Sequence, residues 1–141
     1  MKPEIIKQYV ETGQANIVYK HSAFLGQESV WAAQAAECAA DQGRFWDFHD
    51  ILFERQDGEN QGAFNQDKLI AMASELKFDM TKFEQCMNNN ETLARVQADT
   101  QEGSAAGVTG TPTFFINGRV LVGAQPLEAF QQTIEQALQA Q

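Results

Sequence analysis

The run Gly110-Thr111-Pro112-Thr113-Phe114-Phe115-Ile116-Asn117-Gly118 constrains this chain more than any other stretch. Thr113 to Ile116 and Arg119 to Val122 are short runs rich in β-branched and aromatic residues. The Asn117-Gly118 pair between them supplies the two positive-φ positions that a type I′ turn needs. The spacing predicts two strands, 113–116 and 119–122, closed as a hairpin. Pro112 has no amide hydrogen, which suits the first residue of an edge strand. Pro126 then opens a helix with Leu127, Phe130, Ile134 and Leu138 on one face.

Upstream, helical patterns dominate. Residues 3–12 read as a helix, with Pro3 in its first turn and Gly13 at its end. Ala15 to Lys20 reads as a short strand because Ile17, Val18 and Tyr19 favour it. Trp31, Ala35, Cys38 and Ala39 share a face of a helix at about 28–41, and Phe45, Phe48, His49 and Leu52 do so at about 44–55. Leu69, Met72, Ala73 and Leu76 stripe a third helix, capped by Asn65, with Phe64 placed to staple onto Leu69. Asp79 caps the next, with Phe78 against Phe83, and Phe83, Cys86 and Met87 facing inward. A further helix runs from about Glu91 to Ala105, ended by Gly107.

Composition bounds the function classes. The 141 residues suit one domain, and 19 acidic against 10 basic residues give a net charge of −9. That field repels phosphate backbones, so no nucleic-acid partner is expected. No apolar run reaches the roughly 20 residues of a membrane span. The N-terminal segment has no signal-peptide apolar block, a feature shared by mature extracytoplasmic proteins. Internal repeats are absent, and the loosest stretch is the polar loop at 56–62. Cys38 and Cys86 have no second Cys or His at metal-ligand spacing, so neither metal nor cofactor is expected. Two readings of the pair stay open: two buried thiols, or one structural disulfide favoured by an oxidising compartment.

The element order of helix, strand, helical block, hairpin and helix, with Thr-Pro before the hairpin, resembles the DsbA-like thioredoxin-fold oxidoreductases. The strings that carry the likeness are Ala36-Glu37-Cys38-Ala39-Ala40, Gln42-Gly43-Arg44-Phe45-Trp46 with His49-Asp50 and Leu52-Phe53, and Phe83-Glu84-Gln85-Cys86. The Gly107–Gly118 run and Leu121-Val122-Gly123-Ala124-Gln125-Pro126 complete them. The resemblance implies an α/β, thioredoxin-like fold with a helical insertion and a small sheet ending in the C-terminal hairpin. Residues 1–141 then form a single incomplete domain. Its helical subdomain lies at about 25–106 and its thioredoxin part at about 1–24 and 107–141.

Members of the family carry a strand that ends in Cys-x-x-Cys at a helix N-terminus, where the first thiol is activated for exchange. Cysteines stand only at 38 and 86 here, so the chain reads as N-terminally truncated, with no catalytic residue. The resemblance implies a cis Thr111-Pro112 bond and an extended peptide or protein thiol substrate bound at Thr111 and Pro112 by strand addition. It also implies a structural disulfide between Cys38 and Cys86, and an extracytoplasmic home. His49 reads as a packed histidine with one hydrogen bond, His21 as a solvated loop histidine, and Trp31 and Trp46 as core anchors.

A central strand missing between 15–20 and 113–116 leaves backbone groups to be paired. Three outcomes follow: 15–20 pairs antiparallel to 113–116 in a three-stranded sheet, a second copy supplies strands in a homodimer or strand-swapped assembly, or the chain belongs to a longer protein; a dimer or a rearranged sheet is expected. The expected function is that of a DsbA-like thiol-disulfide oxidoreductase domain, inactive as written. The alternatives are a peptide-binding or protein-interaction module using the cis-Pro loop, and a relative of glutathione-dependent isomerases and transferases.

Overall fold

Alanines on one side of a helix let its neighbours approach closely, and that is how the helical part of this protein is built. The computed structural model describes residues 2–140. In chain order the elements are α1 (Lys2–Ile5), continued by a π-helical turn (Ile6–Val10), α2 (Gln27–Ala40), α3 (Phe45–Glu54), α4 (Gln66–Glu75), α5 (Met80–Asn88), α6 (Leu93–Ala105), β1 (Thr113–Ile116), β2 (Arg119–Val122) and α7 (Leu127–Gln139). They fall into two compact units: Lys20–Gly103, and the N-terminal segment to Tyr19 together with the chain from Ser104 onward.

In the helical unit, α2 packs against α3, α4 and α5. Ala35, Ala36, Cys38 and Ala39 of α2 are buried against Phe48 and Ile51 of α3, Leu69, Met72 and Ala73 of α4, and Phe83, Cys86 and Met87 of α5. Phe48, Phe78 and Phe83 form a ring triangle, with centroids 5.5 to 6.0 Å apart. The caps lie where the sequence places them. Asn65 Oδ1 accepts the Lys68 amide at 3.0 Å, and Asp79 Oδ1 accepts the Lys82 amide at 3.1 Å. Asn65→Ala and Asp79→Ala should each lower stability by about 0.5–2 kcal/mol in urea titrations, the usual cost of an orphaned helix N-terminus.

In the other unit, α7 and the N-terminal helix bury Ile5, Tyr9, Phe130 and Ile134, with Phe114, Ile116 and Leu121 of the hairpin packed on them. β1 pairs antiparallel with β2 in the register Thr113↔Val122 to Ile116↔Arg119. Asn117 and Gly118 turn at φ 46° and 84°, both in the left-handed region a type I′ turn demands.

Tyr9 donates to Glu135 Oε1 at 3.1 Å. Burial, with that carboxylate adding to it, pushes the Tyr9 phenol above its ordinary value. A phenol raised in the folded state gives stability that is intact below the unfolded pKa of about 10 and lost as pH rises through the folded one. Tyr9→Phe should therefore flatten the alkaline limb of a Tm-against-pH profile.

Two expectations need correction. The strand expected at 15–20 is irregular chain without a ladder, and among the described residues the sheet has two strands, β1 and β2. The three-stranded closure onto 113–116 is therefore not formed. β-branched residues favour an extended backbone but cannot supply the neighbour a strand requires; the Ala15 amide turns back to Tyr9 O instead, at 2.9 Å. The helix expected at 3–12 is α-helical only to Ile5 and π-helical to Val10.

Candidate functional site

The hairpin and the loop before it hold the first candidate site. α6 ends before Gly107, whose φ of 83° reverses the chain. The loop then reaches Thr111 and Pro112, whose peptide bond is cis, and both residues are exposed. Two contacts fix this loop to the hairpin. The Gly123 amide donates to Pro112 O at 2.7 Å, and Thr113 Oγ1 donates to Gly110 O at 2.7 Å. Bonded pairs alternate in an antiparallel ladder. Ile116↔Arg119 closes the turn and Pro112 bonds Gly123, so Phe114 faces β2 while the backbone groups of Thr113 and Phe115 point to the outer edge. Among the described residues, the amide and carbonyl of Thr111 enter no hydrogen bond. An extended ligand lying along Thr111 finds one free donor and one free acceptor on a fixed backbone.

The second candidate is the cysteine pair. Cys38 and Cys86 are joined in a disulfide with Cα atoms 5.9 Å apart, which resolves the two open readings. Cys38 lies near the end of α2 and Cys86 near the end of α5. Helix C-termini carry partial negative charge, the reverse of the environment that activates a thiolate. Thr92 Oγ1 stands 3.9 Å from Cys38 Sγ. Its proton goes to Gln34 O at 3.0 Å, so it presents lone pairs, not a donor, to the sulfur. Cys38 and Cys86 are 1% and 5% exposed, under a shallow depression of about 200 Å³ lined by Asp41, Gln42, Lys82, Gln85 and Glu91. Among the described residues no hydrogen-bond donor is aimed at Cys38 Sγ, and the charged residues lining the depression are two carboxylates, Asp41 and Glu91, and one cation, Lys82.

His21 departs from expectation. It is buried, not solvated. Its Nε2 lies 2.9 Å from Glu37 Oε1, its amide donates to Asp99 Oδ2 at 3.1 Å, and its ring meets the Phe45 edge at 6.0 Å. Glu37 also receives Arg95 at 3.3 Å, and Lys20 bridges Asp99 and Glu102 at 3.0 and 2.9 Å. These long-range carboxylates draw the loop onto α2 and α6. Residue type and loop position gave no signal for them, and the same holds for Thr92 and Gln34 beside Cys38. His49 is largely covered among Phe45, Trp46 and Phe53, with Nδ1 2.9 Å from Asp50 Oδ1. Trp31 packs against the core, whereas Trp46 is 38% exposed and forms part of this aromatic ladder, not a core anchor. Among the described residues, no helix is long and apolar enough to cross a membrane.

Comparison with known proteins follows this geometry. A family model described as thioredoxin (Thioredoxin_4) matches residues 1–136. The crystal structure of oxidised BdbD from Bacillus subtilis superposes with a TM-score of 0.87 at 25% identity, covering 97% of this chain and 76% of that one. Disulfide bond formation protein D of Bacillus subtilis is 27% identical over 139 residues, 96% of this chain and 63% of that protein. The Na(+)/H(+) antiporter NhaA 1 of Salinispora arenicola is 35% identical over 106 residues, 75% of this chain but 16% of the antiporter. The chain thus spans less than two thirds of either relative's length.

Proposed function

This chain belongs to the thioredoxin family, with the fold of its DsbA-like thiol-disulfide oxidoreductases, and on that premise we propose that it binds an extended protein substrate at Thr111–Pro112 while its own Cys38–Cys86 pair takes no part in exchange. The observation that carries the reading is the contrast between the two sites. The Thr111 backbone is exposed, held at fixed points and free to pair. The sulfurs are buried at helix C-terminal ends with no donor aimed at Cys38. Thioredoxin-type chemistry needs a thiolate at a helix N-terminus and a resolving thiol within reach, and the 141 residues hold no Cys-x-x-Cys. Within this chain the family's chemistry is reduced to substrate capture; the substrate's class is an unfolded or extended polypeptide.

Fluorescence anisotropy with a labelled, extended, cysteine-containing peptide tests the reading. Thr111→Pro removes the free amide and should weaken binding about two- to tenfold, the value of one hydrogen bond. Thr111→Ala keeps that amide and should bind as the wild type does. Equal affinity for all three proteins, or no binding to any, overturns the proposal.

A further inference from the structure

We infer that Asn117 is a site of spontaneous covalent modification, where attack by the Gly118 amide turns the side-chain amide into an acid and opens the tip of the hairpin. Such an attack needs an asparagine whose carboxamide is not held, followed by a backbone nitrogen that is unbonded and unhindered. The turn meets each need. Asn117 and Gly118 are exposed, and neither the Asn117 carboxamide nor the Gly118 amide enters a hydrogen bond among the described residues. That freedom belongs to the turn type. A type I′ loop closes through its flanking residues, here Ile116 and Arg119, and both central amides point away from the ladder. A Cβ built on Gly118 would meet nothing within 4 Å, so no neighbour covers its nitrogen. Other positions lack one of these features. Every other asparagine is followed by a residue with a side chain, which crowds the attacking nitrogen. Asn60, Asn65 and Asn90 also hold their carboxamides in hydrogen bonds. Asp57 precedes Gly58, but a carboxylate is a poor electrophile, and the Gln61 side chain lies 3.0 to 3.3 Å from where a Cβ on Gly58 would stand.

The reaction needs only the turn and water. The Gly118 nitrogen bonds to Asn117 Cγ, ammonia leaves carrying the proton that nitrogen gave up, and a cyclic imide remains. Water then opens the ring. Cleavage between Cγ and nitrogen gives aspartate, and cleavage between the backbone carbonyl carbon and nitrogen gives isoaspartate. Ammonia is released, water is consumed, and nothing is oxidised. In isoaspartate the main chain runs through the side-chain carbons and is longer by a methylene. The loop depends on residues 117 and 118 turning at φ 46° and 84° to match the twist of its strands, and the added atom breaks that match. The Ile116↔Arg119 pair lies next to the insertion and is lost first. Leu121, packed on the core of its unit, holds the far end of β2. The conversion needs no ligand at Thr111, so it stands whether or not that site captures peptide.

Ageing the full chain in warm, mildly alkaline buffer tests the inference, with tryptic peptides followed by mass spectrometry. The peptide ending at Arg119 should exchange the amide of residue 117 for an acid several times faster than Asn89 does, a residue that is exposed but followed by Asn90. The rate should rise with pH, because the attacking nitrogen must lose its proton. The aged peptide should accept methyl groups from S-adenosylmethionine, with a protein-isoaspartate carboxyl methyltransferase as the probe. In the aged chain the Ile116 and Arg119 amides should lose hydrogen-exchange protection. Asn117→Gly keeps a pair suited to a type I′ turn, and its peptide should take up no methyl groups. Conversion at 117 no faster than at Asn89 overturns the inference. So does an isoaspartate-containing chain whose Ile116 and Arg119 amides stay protected, or methyl uptake in the same peptide of Asn117→Gly.

Discussion

Replacing Cys38 and Cys86 together by alanine is expected to lower the stability of the helical unit by about 4 kcal/mol, the chain-entropy value for a closed loop of the observed length, which is a sequence separation of 48. The bond joins α2 to α5 inside the apolar cluster, and an open form must order that length of chain without it. Cys38→Ala and Cys86→Ala alone should each cost nearly as much as the pair, because either removes the same cross-link. Both tryptophans, Trp31 and Trp46, lie in this unit, so urea titration followed by tryptophan fluorescence reports it. Wild-type protein in excess dithiothreitol should move to the midpoint of the double variant. A midpoint unchanged by the double substitution would show that the cross-link carries no stability.

The second large effect is expected from Phe83→Ala. Phe83 is fully buried, with its ring 5.5 Å from Phe48 and 5.8 Å from Phe78. Truncation removes the ring's transfer energy and leaves a cavity that α2 and α5 cannot close, because the disulfide holds them together. The cost should be about 3–5 kcal/mol, a large share of the roughly 5–15 kcal/mol that a domain has in total. Phe53→Ala is the matched control. Phe53 is 63% exposed, and its removal should stay within about 0.5 kcal/mol. Equal losses from Phe83 and Phe53 would contradict the assignment of the core to the Phe48–Phe78–Phe83 triangle.

Features decided within a few residues were readable from the chain alone. The hairpin register follows from Asn117-Gly118, and the starts of α4 and α5 follow from Asn65 and Asp79, since each signal and its hydrogen bond lie side by side. Features decided at long range were not. Ile17-Val18-Tyr19 has strand propensity, but a strand exists only where another meets it, and no local signal states whether one does. His21 reads as solvated because its neighbours in sequence form a loop; its burial depends on Glu37 and Asp99, distant in sequence. The pairing of Cys38 with Cys86 depended on α2 approaching α5, which the alanine face permits but does not announce. Of the candidate site, the exposed turn at Thr111–Pro112 was visible in the motif. The free backbone groups that give it chemistry became visible only with the ladder's bonding order in place.

The same logic separates the scaffold from its reaction. Family membership covers nearly the whole chain, while the one disulfide in it sits at helix C-termini and under little solvent. The decisive measurement is the rate at which oxidised protein passes its disulfide to a reduced dithiol peptide, followed by mass spectrometry of both partners. The expected result is no transfer above the rate seen without the protein, with Cys38–Cys86 still bonded and the peptide still in its dithiol form. Peptide disulfide formed together with Cys38 and Cys86 thiols, and absent with a folded Cys38→Ala variant, would make this pair an exchange site and contradict the account.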